Sequence, residues 1–92
     1  MSGEVLQFRQ QRATAKPGEV SIHVNLPKAI AEAWLERLRS ELRQGFDLHW
    51  YDDRYRTVPA GLRSARILDD HPALAGHKRT IGALKAALSA NV

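Results

Sequence analysis

Between Glu19 and Asn25 the chain alternates strictly, with Val20, Ile22 and Val24 on one side and Glu19, Ser21, His23 and Asn25 on the other. A period of two built from β-branched residues is the pattern of a half-buried strand. At Asn25-Leu26-Pro27 it gives way to a period of three to four. Ala31, Leu35, Leu38 and Leu42 then form one stripe, which Ile30 and Trp34 widen. That is a helix stripe, with Asn25 as N-cap, Pro27 in the first turn where its missing N–H costs nothing, and Gly45 as the stop. A strand running straight into a helix points to a mixed architecture.

The next stretch, Phe46 to Thr57, holds four of the six aromatic residues. Phe46, Leu48 and Trp50 alternate with Asp47, His49 and Tyr51, which suggests a β-hairpin turning at Asp52-Asp53. In that register Phe46, Leu48, Trp50, Tyr55 and Thr57 face the core. His49, Tyr51, Arg54 and Arg56 share the outer face. Asp-Asp is a weak turn signal, because both central positions of the favoured two-residue turn need φ > 0. A longer loop would change the register.

Val58-Pro59-Ala60-Gly61 ends the hairpin. Leu62 to Leu68 fits a short helix, with Leu62, Ala65 and Leu68 inward and Arg63 and Arg66 outward, and a third strand competes for the same residues. Asp69-Asp70-His71-Pro72 is a helix start, with proline at the first helical position and aspartates favoured at the positive end of the helix dipole. The last helix runs to about Ala90 on Leu74, His77, Ile81, Leu84 and Leu88, weakened by Gly76 and Gly82 unless they allow a close crossing. At the other end, residues 1–18 read as a flexible basic arm closing on the turn dipeptide Pro17-Gly18.

The expected fold is therefore α+β: a small two-layer domain over residues 19–92, in β-α-β-β-α order. Its three-stranded sheet carries two main helices on one face, with a possible extra short helix. Val20, Ile22, Val24, Phe46, Leu48, Trp50 and Tyr55 would meet Ile30, Trp34, Leu38, Ile81, Leu84 and Leu88 in its core. Ninety-two residues suffice for one domain and not two. No apolar run approaches the ~20 residues of a membrane span, the opening Met1-Ser2-Gly3-Glu4 is unlike a signal peptide, and no membrane partner is expected. The absence of cysteine removes disulfides and thiolate chemistry and suits a reducing compartment, so a cytoplasmic location is expected.

Catalytic chemistry finds little support. His71 and His77 are six apart and share no helical face, and neither a zinc spacing nor an EF-hand occurs, so no metal or other cofactor is expected. Asp52-Asp53 and Asp69-Asp70 are neighbouring pairs, which mark turns and caps more often than paired acid and base groups. With no nucleophile elbow and no phosphate loop, the chain reads as a non-enzyme.

Charge is more informative. Residues 1–53 carry 7 Lys/Arg against 8 Asp/Glu, whereas residues 54–92 carry 7 against 2. A basic half favours an acidic partner: nucleic acid, a ribonucleoprotein or another protein complex. The expected contact surface is the Arg/Tyr sheet face, His49, Tyr51, Arg54 and Arg56, with Arg63, Arg66, Lys78 and Arg79 nearby. It joins planar stackers to phosphate-pairing forks, without the paired aromatics of the common RNA-binding sheet. In size and style the chain also resembles accessory proteins of phages and plasmids, including inhibitors such as anti-CRISPR proteins, which implies direct binding to a host protein complex. A homodimer through an exposed strand edge is the third expectation.

Overall fold

The computed structural model describes residues 16–90, and among them it is helical without a sheet. Helix α1 spans Lys28–Trp50, a 3₁₀ turn covers Asp53–Tyr55, helix α2 spans Ala60–Asp70 and helix α3 spans Pro72–Ala90. The expectation of an α+β domain with a three-stranded sheet is thus overturned.

The hairpin fails for a reason visible in its own residues. Phe46, Leu48 and Trp50 alternate, but Leu42, Phe46 and Trp50 also step by four, in register with Leu35 and Leu38. A run of five residues satisfies either period, and an established helix extends more easily than a new strand pair nucleates. So α1 passes through Gly45 and continues to Trp50. Leu48 bears the consequence at 74% exposure, while Phe46 and Trp50 are half-buried. Asp52 caps the 3₁₀ turn instead of starting a hairpin, its Oδ1 accepting from Arg54 N at 3.0 Å. Tyr55 is in the interior, as expected, at 1% exposure.

The segment expected as the first strand takes neither strand nor helix and is unpaired among the described residues, and Val20, Ile22 and Val24 are exposed. The Pro17-Gly18 turn ahead of it does form: Glu19 N donates to Lys16 O at 2.9 Å and Gly18 takes φ 85°. Residues 1–15 of the expected arm lie outside the described residues. Pro27, rather than Asn25, precedes α1 directly, and no side chain among the described residues caps the start of that helix.

The core lies along the α1–α3 seam. Ala31, Leu35, Leu38 and Leu84 are buried together, with Ile81 and Leu88 against them. Ala31 lines one groove with Leu84 and Leu88, whereas Gly45 lies under Leu74, so the two helices run antiparallel. Ile30 and Trp34, expected in the core, stay 54% and 40% exposed on the flank of the seam. Helix α2 forms where a short helix and a strand compete in the sequence, but its faces are turned: Ile67 is fully buried and Arg63 half-buried, while Leu62 and Ala65 are exposed.

Gly45 is needed for close approach and not as a helix stop, since a Cβ there would stand 2.5 Å from Leu74 Cδ2 and 3.2 Å from its Cγ. Among the described residues nothing lies within 4 Å of a Cβ placed at Gly76 or Gly82. We therefore predict that Gly45→Ala destabilises the fold by about 1 kcal/mol, overpacking at the crossing outweighing the gain in helix propensity. Gly76→Ala and Gly82→Ala should each stabilise by up to ~1 kcal/mol. Urea unfolding of the three variants checks both signs, and adding Leu74→Ala should relieve much of the Gly45→Ala defect.

Candidate functional site

The joint between α1 and α2, residues 49–63, gathers five of the eight expected contact residues: His49, Tyr51, Arg54, Arg56 and Arg63. It is built by Arg63. Its Nη2 donates to Val58 O at 2.8 Å and its Nη1 to Trp50 O at 3.3 Å, and its guanidinium carbon lies 5.1 Å from the centre of the Trp50 ring. The last carbonyls of a helix lack partners within it and carry the negative end of its dipole, so a cationic fork there supplies both the bonds and the charge. Arg63 Nε is buried without a hydrogen-bond partner among the described residues. This side chain is committed to holding the joint closed.

A second cluster ties the joint to the start of α3. The Tyr55 hydroxyl donates to Asp70 Oδ2 at 2.9 Å and lies 3.3 Å from His71 Nε2. The His71 ring stacks on His49 with centroids 3.8 Å apart and planes 16° from parallel. Burial, and next the Asp70 carboxylate accepting its hydrogen bond, push the Tyr55 phenol above its ordinary range. Farther along the seam, Glu41 Oε1 meets His77 Nε2 at 2.8 Å and Arg37 Nε donates to Glu41 Oε2 at 2.7 Å. Arg37 first, and then His77, hold that carboxyl below its usual range.

Tyr51 is 86% exposed, and Arg54 and Arg56 are exposed on the same joint. Arg56 reaches Asp53 only at 4.0 Å, and Arg54 lies 5.9 Å from the Tyr55 ring centre. Arg66 is exposed on α2, in a shallow groove with Thr57, Val58, Pro59, Leu62, Ala65 and Asp69. Lys78 and Arg79 sit apart, on α3. Arg79 Nη1 donates to Glu19 Oε2 at 2.7 Å, which lowers the Glu19 pKa and fastens the start of the segment before α1 to α3. His49 turns to His71, and the single face expected for His49, Tyr51, Arg54 and Arg56 has no sheet to carry it.

The sequence pattern does not reveal the Tyr55–Asp70–His71–His49 cluster, whose hydroxyl–carboxylate bond joins residues 15 apart. The Asp69-Asp70-His71-Pro72 run is its one visible signal, and by spacing alone that run marks only a helix start. No group of three or more His, Cys, Asp or Glu side chains among the described residues is arranged to hold a metal ion. No described helix is long and apolar enough to cross a membrane. Comparison with protein-family models, with curated proteins and with solved structures found no match.

Two outcomes follow from the joint. Replacing Arg63 by alanine should cost about 2 kcal/mol, the worth of charged hydrogen bonds to two carbonyls, with lysine recovering only part because it lacks the fork; urea unfolding reads both. The raised Tyr55 pKa means that the folded state holds its proton more tightly than the unfolded chain. Its contribution is complete below about pH 10, the unfolded value, and is lost as pH rises through the folded-state pKa. Thermal melts between pH 8 and 11 should show that alkaline loss, and Tyr55→Phe should flatten it while lowering the midpoint by roughly 5 °C at neutral pH.

Proposed function

We propose that the chain is a small, non-enzymatic, basic binding protein of the cytoplasm that engages nucleic acid or a nucleic-acid–protein complex through cationic helix surfaces. One observation supports this above others. In the basic half, Arg54, Arg66, Lys78 and Lys85 are exposed and have no carboxylate partner among the described residues. In the first half, Arg37 and Arg39 are held by Glu41 and Glu36 of the same helix, and Lys28 and Arg43 are exposed there without a carboxylate partner among the described residues. Exposed cations not tied to a carboxylate attract phosphates, and exposed Tyr51, on the same joint as Arg54, offers a plane for a base to stack on. Arg63 is not part of this surface, being spent on Trp50 and Val58. The cations lie on helices and on the joint between them, not on a sheet.

A second reading, inhibition of a protein complex by direct binding, draws on the apolar exposure at the end of α1 and the joint after it: Leu48, Tyr51 and Leu62 are 74%, 86% and 62% exposed. A protein held through these side chains would survive nuclease and high salt in a pull-down. A nucleic-acid tether would not.

Fluorescence anisotropy with short labelled single- and double-stranded DNA and RNA tests the leading proposal. Binding at low salt should weaken linearly in log–log form as salt rises. Arg66→Ala and Lys78→Ala should each weaken it and lower the slope by about one. Failure of all four probes to bind at low salt removes the proposal.

A further inference from the structure

Residues 20–26 form a segment without helix or strand whose backbone N–H and C=O groups make no backbone hydrogen bond among the described residues. Val20, Ile22 and Val24 on it are 89%, 81% and 62% exposed. Solvated polar backbone next to exposed β-branched side chains is the condition of a sheet edge without its neighbour. The segment is also placed rather than trailing: the turn at Pro17-Gly18 and the Glu19–Arg79 ion pair fix its start, and α1 fixes its end.

We infer that this segment pairs antiparallel with the same segment of a second copy of the chain, about a two-fold axis at His23. The first reason is symmetry in the sequence. Val-Ser-Ile-His-Val-Asn-Leu has the same apolar and polar order read from either end. Centring the pair on His23 sets Val20 opposite Leu26 and Ile22 opposite Val24. All apolar side chains of both strands then lie on one face, with Ser21, His23 and Asn25 on the other. A two-fold interface requires such self-complementarity.

Charge gives the second reason. Edge strands are normally protected by lysines or other charges, yet no Lys, Arg, Asp or Glu lies between Glu19 and Lys28. Two copies meet here without opposing like charges.

Size gives the third. An isolated two-stranded ribbon is marginal in water and needs an apolar surface to pack on. Ile30 and Trp34, four apart on one strip of α1, are still 54% and 40% exposed directly after the segment. With Val20, Ile22, Val24 and Leu26 they offer on the order of 600–800 Å² per copy, near the ~800 Å² per partner of a stable interface.

Sedimentation equilibrium on the whole chain should show a dimer. Ile22→Lys and Val24→Lys should each convert it to monomer with helical circular dichroism unchanged, because both positions are exposed in the single chain. The absence of cysteine permits a register test. His23→Cys should give a disulfide-linked dimer on mild oxidation. Ser21→Cys should not, its two copies being offset by four residues, about 13 Å along the ribbon. A chain monomeric at millimolar concentration overturns the inference, even if amides 20–26 resist hydrogen exchange, since another part of the same chain would then cover the segment. A dimer indifferent to both lysine variants overturns it too, and cross-linking at 21 in preference to 23 overturns the register. Each readout is independent of nucleic-acid binding.

Discussion

The close approach of α1 and α3 is the constraint from which the rest follows. Two antiparallel helices meet along Ala31, Leu35, Leu38 and Leu84 at one end and at Gly45 under Leu74 at the other. Glu41 and His77 meet between these ends at 2.8 Å. A seam with few buried side chains tolerates no wide spacing, because dispersion falls off within an ångström of optimal contact. Gly45 keeps the spacing small at the end where the chain must turn away.

Closing the seam leaves residues 51–71 to span the far end, and they do so by polar fastening together with burial of Tyr55 and Ile67. Arg63 takes the carbonyls of Trp50 and Val58, Tyr55 takes Asp70, and His49 stacks on His71. Tyr55 and Ile67 are the largest side chains under 2% exposed among the described residues. The same arrangement decides which arginine is free for a partner. Arg63 is turned inward by the helix end it serves, while Arg54, Arg56 and Arg66 remain exposed.

Much of the candidate surface is legible in the residues themselves. The charge imbalance, the exposure of Tyr51 and the lack of a metal-spacing motif require only composition and spacing. What misleads is face assignment. Arginine is usually solvated, which places Arg63 outward, yet the Trp50 carbonyl at the end of α1 and the Val58 carbonyl in the joint outweigh that preference when a fork reaches both. His49 and Arg56 pair only across a hairpin, and the hairpin does not form. Both differences share one origin: the window from Phe46 to Trp50 satisfies two periods, and the face assignments of His49, Arg56 and Arg63 inherit the choice.

The sequence by itself determined the helical stripe of Ala31, Leu35, Leu38 and Leu42, the start of α3 at Pro72, the turn at Pro17-Gly18 and the basic half. Each follows from local chemistry, a fixed φ or a repeat longer than two turns. Only the tertiary structure decided that α1 continues through Gly45, that Tyr55 meets Asp70 and that Arg63 is internal, because those depend on contacts between residues far apart in the chain. The alternating segment from Glu19 to Asn25 lies between the two. Its period is that of a strand, but a strand is completed by hydrogen bonds to a neighbour, none of which forms among the described residues, and a period of two cannot name that neighbour.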